Sequence, residues 1–256
     1  MAENLIVDDP RPGVRRVTLD RPGQLNALSR SLMDELVGAF EAIEDDPEVR
    51  VAIIRGNGSS FCAGADLFEH FLGDDDAPDI GFSGLWDLLD NLRVPVIAAV
   101  HGHAVTGGFL LAYSCDLIVA STDAVFRDTH ARLGIIPTGG ESQRLPRRIG
   151  LFLARELFLT SRGFTAEEAH RAGLVNRLVD PADLEAASLE LAEQITANSP
   201  RSVSAIKRLV NAGIGTDFGT GLRLERAMNE QGRANSRPDP EREQRMERFR
   251  TRVERG

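Results

Sequence analysis

HGHAVTGGFLLAYSCD, residues 101–116, joins two features that seldom meet without reason. A turn built on the adjacent glycines Gly107 and Gly108 runs directly into an apolar segment, Phe109 to Tyr113, that reads as the start of a buried helix. Glycine lacks a Cβ, so the backbone there can come very close to another group. The unpaired N–H groups of a helix start favour negative charge on that group. Immediately upstream, VPVIAAVHG (94–102) is an almost unbroken apolar run, the pattern of a strand buried on both faces.

Outward from this stretch, strand and helix patterns alternate without an internal repeat, which predicts an α/β fold. VRVAIIRG (49–56) is a short β-branched strand that empties into GNGSSFCAGADLF, where Gly56, Gly58 and Gly64 mark an irregular loop. Two strands thus end in glycine-bearing turns, the place where α/β sheets bind ligands, and two backbone donors there can converge on one oxygen. VRRVTL (14–19) reads as a strand and DRPGQLNALS (20–29) as a turn-rich connection. Ser29 fits an N-cap before a helix whose Leu32, Leu36, Phe40 and Ile43 share one face. CDLIVAS (115–121) is a further strand, and AVFRDTHARLGI (124–135) contains at least a short one.

The 256 residues, 42% hydrophobic, have room for one large α/β domain or two small ones. A net charge of −9 argues against nucleic acid or an anionic membrane as the main partner. The N-terminus lacks a basic and apolar leader, and no apolar run approaches the roughly 18 residues of a membrane span, which predicts a cytoplasmic protein. Two cysteines, Cys62 and Cys115, without a CxxC pair or His/Cys cluster, predict reduced thiols, no disulfide framework and no metal.

VTLDRPGQLNAL, FCAGADL, VIAAVHGHAVTGGF, AYSCDLIVAS, LGIIPTGGESQRLPRRIG and TAEEAHRAGLVNRLV resemble, in order and interval, the motifs of the enoyl-CoA hydratase/isomerase (crotonase) superfamily. The resemblance implies a crotonase-like spiral of ββα units, the architecture shared with Clp protease. It implies a core at residues 1–195 carrying an acyl-CoA site, and a helical region at 196–256 for trimerisation and pocket cover. A homotrimer or a homohexamer follows from the same likeness. So does an acyl-CoA thioester as ligand, with coenzyme A part of the substrate and no separate cofactor. Its carbonyl oxygen would be held by the amides of Ala63 and Gly107. CoA and acyl chain would be lined by Gln24, Leu25 and Ala27, by the run Ala63, Gly64, Ala65, Asp66 and Leu67, and by Gly107, Gly108, Leu110, Pro137 and Thr138. Asp66 is expected to cap the helix after it, and Arg21, Lys207 and Arg208 are candidate cations for the CoA phosphates.

The acid/base groups depart from the family pattern. Hydratases of the family place one glutamate three residues after the oxyanion glycine and another before the LG-IP turn; here these positions are Leu110 and His130. Leu110 cannot exchange a proton. His130, titrating near neutrality, can act as base beside a polarised thioester or serve as a hydrogen-bonded structural residue. Asp128 would share its face if the run is a regular strand. Glu141, in the first turn of the next helix, is the other acid/base candidate, although the helix dipole favours a carboxylate there in any case. Thr138 replaces the catalytic aspartate of the dienoyl-CoA isomerases and the chlorobenzoyl-CoA dehalogenase, which speaks against those activities. His101 and His103 read as strand-end residues, Cys62 as an unactivated thiol and Tyr113 as core.

The stretch from Phe68 to Leu89 reads as a variable, glycine-bearing loop over the acyl pocket, and the C-terminal EREQRMERFRTRVERG as an amphipathic helix. Three functional classes follow. One is an enzyme acting on 2-enoyl-CoA, by hydration or by isomerase-type chemistry. Another is an acyl-CoA-binding protein without chemistry. The third is a Clp-type serine protease, disfavoured because Thr106 is the only hydroxyl directly before Gly107 and no triad accompanies it.

Overall fold

A computed structural model describes residues 4–66, 69, 82–234 and 242–253. Its main sheet contains β1 (Leu5–Arg11), β2 (Val14–Leu19), β3 (Val51–Gly56), β4 (Val96–Val100), β6 (Leu117–Ser121) and β9 (Arg177–Val179), in that spatial order. All neighbours are parallel except the β1–β2 hairpin. A smaller sheet is formed by β5 (His103–Val105), β7 (Val125–Arg127) and β8 (Phe164–Thr165). The predicted strands are all present, trimmed at their ends. β1 lacks the apolar pattern of the others, and its acidic residues and Pro10 suit an edge strand rather than a buried one.

Both faces of the sheet are covered, which is why β4 is apolar throughout. On one face Val17, Leu19, Ala52, Ile54, Ala98 and Val100 join the core with Leu32, Leu36, Phe40 and Ile43 of α1 (Arg30–Asp45). On the other, Val51, Ile53, Ile97, Ala99 and Val119 pack on Leu184, Leu189 and Ala192 of α8 (Leu184–Thr196). The predicted cap is in place, the Ser29 hydroxyl accepting the Leu32 N–H at 3.2 Å.

Part of the expected loop at 68–89 is helical. α2 (Phe82–Asn91) buries Leu85, Trp86 and Leu89 on a helical period, and most of the preceding segment lies outside the described residues. Along the chain between β5 and β9 come α3 (Gly107–Ser114), α4 (His130–Leu133), α5 (Glu141–Ile149), α6 (Leu151–Thr160) and α7 (Ala166–Arg171). The C-terminal region is helical as expected, with α9 (Pro200–Gly213), α10 (Phe218–Ala234) and α11 (Arg242–Val253).

Lys207 of α9 ties this region to the core. Its ammonium donates to the carbonyls of Leu89 and Val94, both at 3.0 Å, and to the Asp116 carboxylate at 2.8 Å. All three donors are used and the side chain is buried, so Lys207 is not a phosphate-binding cation. Among the described residues, no helix is long and apolar enough to cross a membrane.

Candidate functional site

The two glycine-bearing turns meet. Phe61 and Cys62 donate to the carbonyls of His101 and His103 at 2.9 and 3.0 Å, and Val105 returns a bond to Cys62 at 2.9 Å. On the other side the 61–66 segment is held by the 25–28 loop: Leu28 donates to Gly64 at 2.7 Å and Asp66 to Leu28 at 3.0 Å. The Ala63 N–H donates to the Leu25 carbonyl at 2.9 Å. That bond overturns the expectation that Ala63 supplies an oxyanion amide, because its donor is already used.

Two residues on, the Ala65 amide lies beside the Gly107 turn instead. Among the described residues no backbone carbonyl accepts the Ala65 N–H, and Gly107, first residue of α3, has no intrahelical acceptor for its own. A Cβ on Gly107 would sit 3.5 Å from the Ala65 nitrogen, and one on Gly64 would sit 3.2 Å from the Gly107 nitrogen. Gly64 itself, at φ +92°, has its missing Cβ against the Val105 carbonyl, so only glycine permits this approach. Gly108 backs the turn, where a Cβ would overlap the Cys62 carbonyl. Burial pushes the Cys62 thiol up to about 12, so it offers no thiolate.

His130 does not lie on a strand. β7 ends at Arg127, and His130 opens the short helix α4. Its pairing with Asp128 nevertheless forms, for a different reason than strand alternation: one carboxylate oxygen accepts the His130 backbone N–H at 3.1 Å and the other faces the ring Nδ1 at 2.9 Å. Because a carboxylate only accepts, Nδ1 carries the proton and Nε2 is left as the acceptor of the neutral ring. Burial works against the charged ring, but the Asp128 hydrogen bond and the charges of Asp128 and Glu141 outweigh it, holding the histidine above its ordinary pKa.

Nε2 points towards Glu141, whose Oε1 lies 3.8 Å away. Glu141 opens α5 as predicted, is buried, and accepts the Gly139 N–H at 2.8 Å through its other oxygen. A Cβ on Gly139 would overlap the Leu110 side chain and lie 3.0 Å from the Trp86 indole nitrogen and 3.2 Å from Glu141 Oε1. Leu110 and Trp86 therefore form an apolar wall beside the carboxylate, one helical turn from Gly107.

A hydroxyl pair connects the two halves of the site. Thr106 Oγ1 lies 2.5 Å from Thr129 Oγ1, so the residue before Gly107 touches the residue before His130.

The remaining predicted residues divide. Gln24 and Leu25 are exposed and, with Ala27, form a loop against residues 63–66. Asp66 holds Arg21, whose guanidinium lies 3.2 Å from its carboxylate, and Arg21 also donates to the Ala27 carbonyl. Arg21 is thus committed to the loop rather than to a phosphate; the helix that Asp66 was expected to cap, like Leu67, lies outside the described residues. Pro137 is half-buried and Thr138 exposed just before Gly139. His101 Nε2 donates to the Gly58 carbonyl, 3.0 Å away, and Tyr113 packs edge-on against Phe109, both structural positions as expected. Reasoning on the sequence missed Trp86, hidden in a stretch read as loop, and the Thr106–Thr129 contact, which no pattern announces.

Residues 10–249 match the family described as enoyl-CoA hydratase/isomerase. The chain belongs to that family. It is 41% identical over 230 residues to the probable enoyl-CoA hydratase 1, peroxisomal, of Arabidopsis thaliana, covering 88% of this chain and 86% of the relative. The crystal structure of an enoyl-CoA hydratase from Bacillus anthracis superposes with a TM-score of 0.90 at 35% identity, over 98% of this chain and 97% of the other. A monofunctional enoyl CoA isomerase from M. smegmatis superposes at 0.76 and 33% identity, over 86% and 98%. The two sheets and C-terminal helices are accordingly the crotonase fold, and this crotonase-family enzyme carries a histidine where the family's second glutamate was expected.

Proposed function

We propose that the protein binds an enoyl-CoA thioester and moves a proton at the carbons beside its carbonyl, with His130 as the carrier. The observation that carries this reading is the Asp128–His130–Glu141 cluster, tied through Thr129 and Thr106 to the Gly107 amide. In this reading the carbonyl oxygen accepts from Ala65 and Gly107, and the loop of Gln24, Leu25 and Ala27 with residues 63–66 takes the CoA. Two fixed donors stabilise the charge that develops on the oxygen; losing one such donor costs about 10²–10³ in rate. His130 Nε2 takes a proton from the α-carbon, the electron pair passes into the enolate, and the imidazolium returns the proton to the γ-carbon.

That double-bond shift needs one carrier, and the apolar wall of Leu110 and Trp86 leaves the ionisable groups on one side. Hydration of a 2-enoyl-CoA is the second reading, favoured by Glu141, which gives a water a second polar partner beside His130. The names of the relatives support both. The test follows two reactions by absorbance: 3-hexenoyl-CoA becoming the conjugated isomer, and crotonyl-CoA losing its conjugation. The expected result is a faster double-bond shift than hydration. Tight binding of both thioesters without turnover of either would contradict an enzymatic role and leave a binding protein.

A further inference from the structure

We infer that Thr106 is a positioning residue that holds the oxyanion amide of Gly107 and the proton carrier His130 in one register. The inference rests on the site reading above. The Thr106 backbone, at φ 49° and ψ −106°, occupies a region that glycine fills and that a β-branched residue avoids. Glycine would hold this backbone without strain; what threonine adds is a hydroxyl. That hydroxyl lies 2.5 Å from the Thr129 hydroxyl and accepts the Thr129 N–H at 3.2 Å. The Thr106 N–H donates to the Arg127 carbonyl at 2.7 Å, extending the β5–β7 ladder by one residue. Thr106 is therefore bound at three points to the segment that leads into Asp128 and His130.

The consequence for Gly107 follows from peptide geometry. The Gly107 N–H shares a rigid plane with the Thr106 carbonyl, so the torsion held at Thr106 sets the direction of that N–H. The same carbonyl accepts the Leu110 N–H at 2.8 Å and starts α3. A shift at Thr129 is thereby passed to the amide that faces the substrate oxygen, and a shift of the oxyanion turn is passed to His130.

The test uses the full-length protein and cinnamoyl-CoA, whose absorbance moves to longer wavelength when its carbonyl is polarised. Thr106→Val keeps the branched shape and removes the hydroxyl, Thr106→Ser keeps the hydroxyl, and Thr129→Val removes the partner. Thr106→Val is expected to lose most of the wavelength shift and about tenfold or more in kcat with little change in KM, as misplacement of reacting groups does. Its pH profile should move as well, because His130 faces the charges of Asp128 and Glu141 and is displaced relative to both. Thr106→Ser should restore the shift, and the Thr106→Val/Thr129→Val double variant should be no worse than its worse parent, since one contact is removed twice. If Thr106→Val does not fold, Thr129→Val reads the same contact from the other side. Valine variants with the wild-type shift and kcat overturn the inference alone, as does a serine variant as impaired as the valine one. A wild-type protein that binds cinnamoyl-CoA without any shift overturns the site reading and this inference with it.

Discussion

Burial and charge pull His130 in opposite directions, and in the proposed role the balance decides when the ring can accept a proton. Its pKa is raised by Asp128 and Glu141 against the effect of burial, so the neutral ring that accepts a proton accumulates only above the usual histidine range. We predict that kcat/KM rises with pH through an apparent pKa higher than about 6.5, the ordinary histidine value. Asp128→Asn should lower that pKa, because burial then acts with less opposition, and should reduce kcat by loosening the ring; a profile identical to wild type would contradict the assignment. The sign for stability is the reverse of that for activity. A folded-state pKa above the unfolded one gives a contribution fully present below the unfolded value and lost as pH rises through the folded one. His130 was identifiable in the sequence as the replacement for a family glutamate. Its partner was named on the premise of a strand, whereas the chain turns into a helix and the carboxylate reaches ring and backbone together.

At the level of elements, the buried strands were legible because a sheet covered on both faces needs continuous apolar runs, as in β4. The α1 cap and its apolar face were legible for the same kind of reason. The register of the proposed oxyanion turn was not: Ala63 and Ala65 are the same residue type two positions apart, and only the left-handed turn at Gly64 and the bond to Leu25 distinguish their amides. Nor was the role of Lys207, whose composition-level reading is a solvated cation on an amphipathic helix. In place it satisfies two carbonyls and a carboxylate between α9 and the core. Lys207→Met should destabilise the fold by about 1–3 kcal/mol, since two buried carbonyls would lose their shared donor. Thermal or urea unfolding of the two proteins checks this, and an unchanged midpoint would show that α9 is held by other contacts.

Across the whole molecule, a mostly parallel main sheet and a smaller three-stranded sheet converge on one turn-rich edge. The main sheet delivers the 61–66 segment beyond β3; the smaller sheet delivers the start of α3 beyond β5 and Asp128 and His130 beyond β7. The smaller sheet thus sets the start of α3 beside the His130 imidazole, and the main sheet brings the 61–66 turn to them. The most direct measurement is turnover of 3-hexenoyl-CoA and crotonyl-CoA by wild type and His130→Gln, beside thioester affinity by calorimetry. The account predicts that the variant binds as tightly as wild type while turnover falls about 10²–10⁴-fold, the range for loss of a general base. A variant that turns over either thioester at the wild-type rate would contradict it.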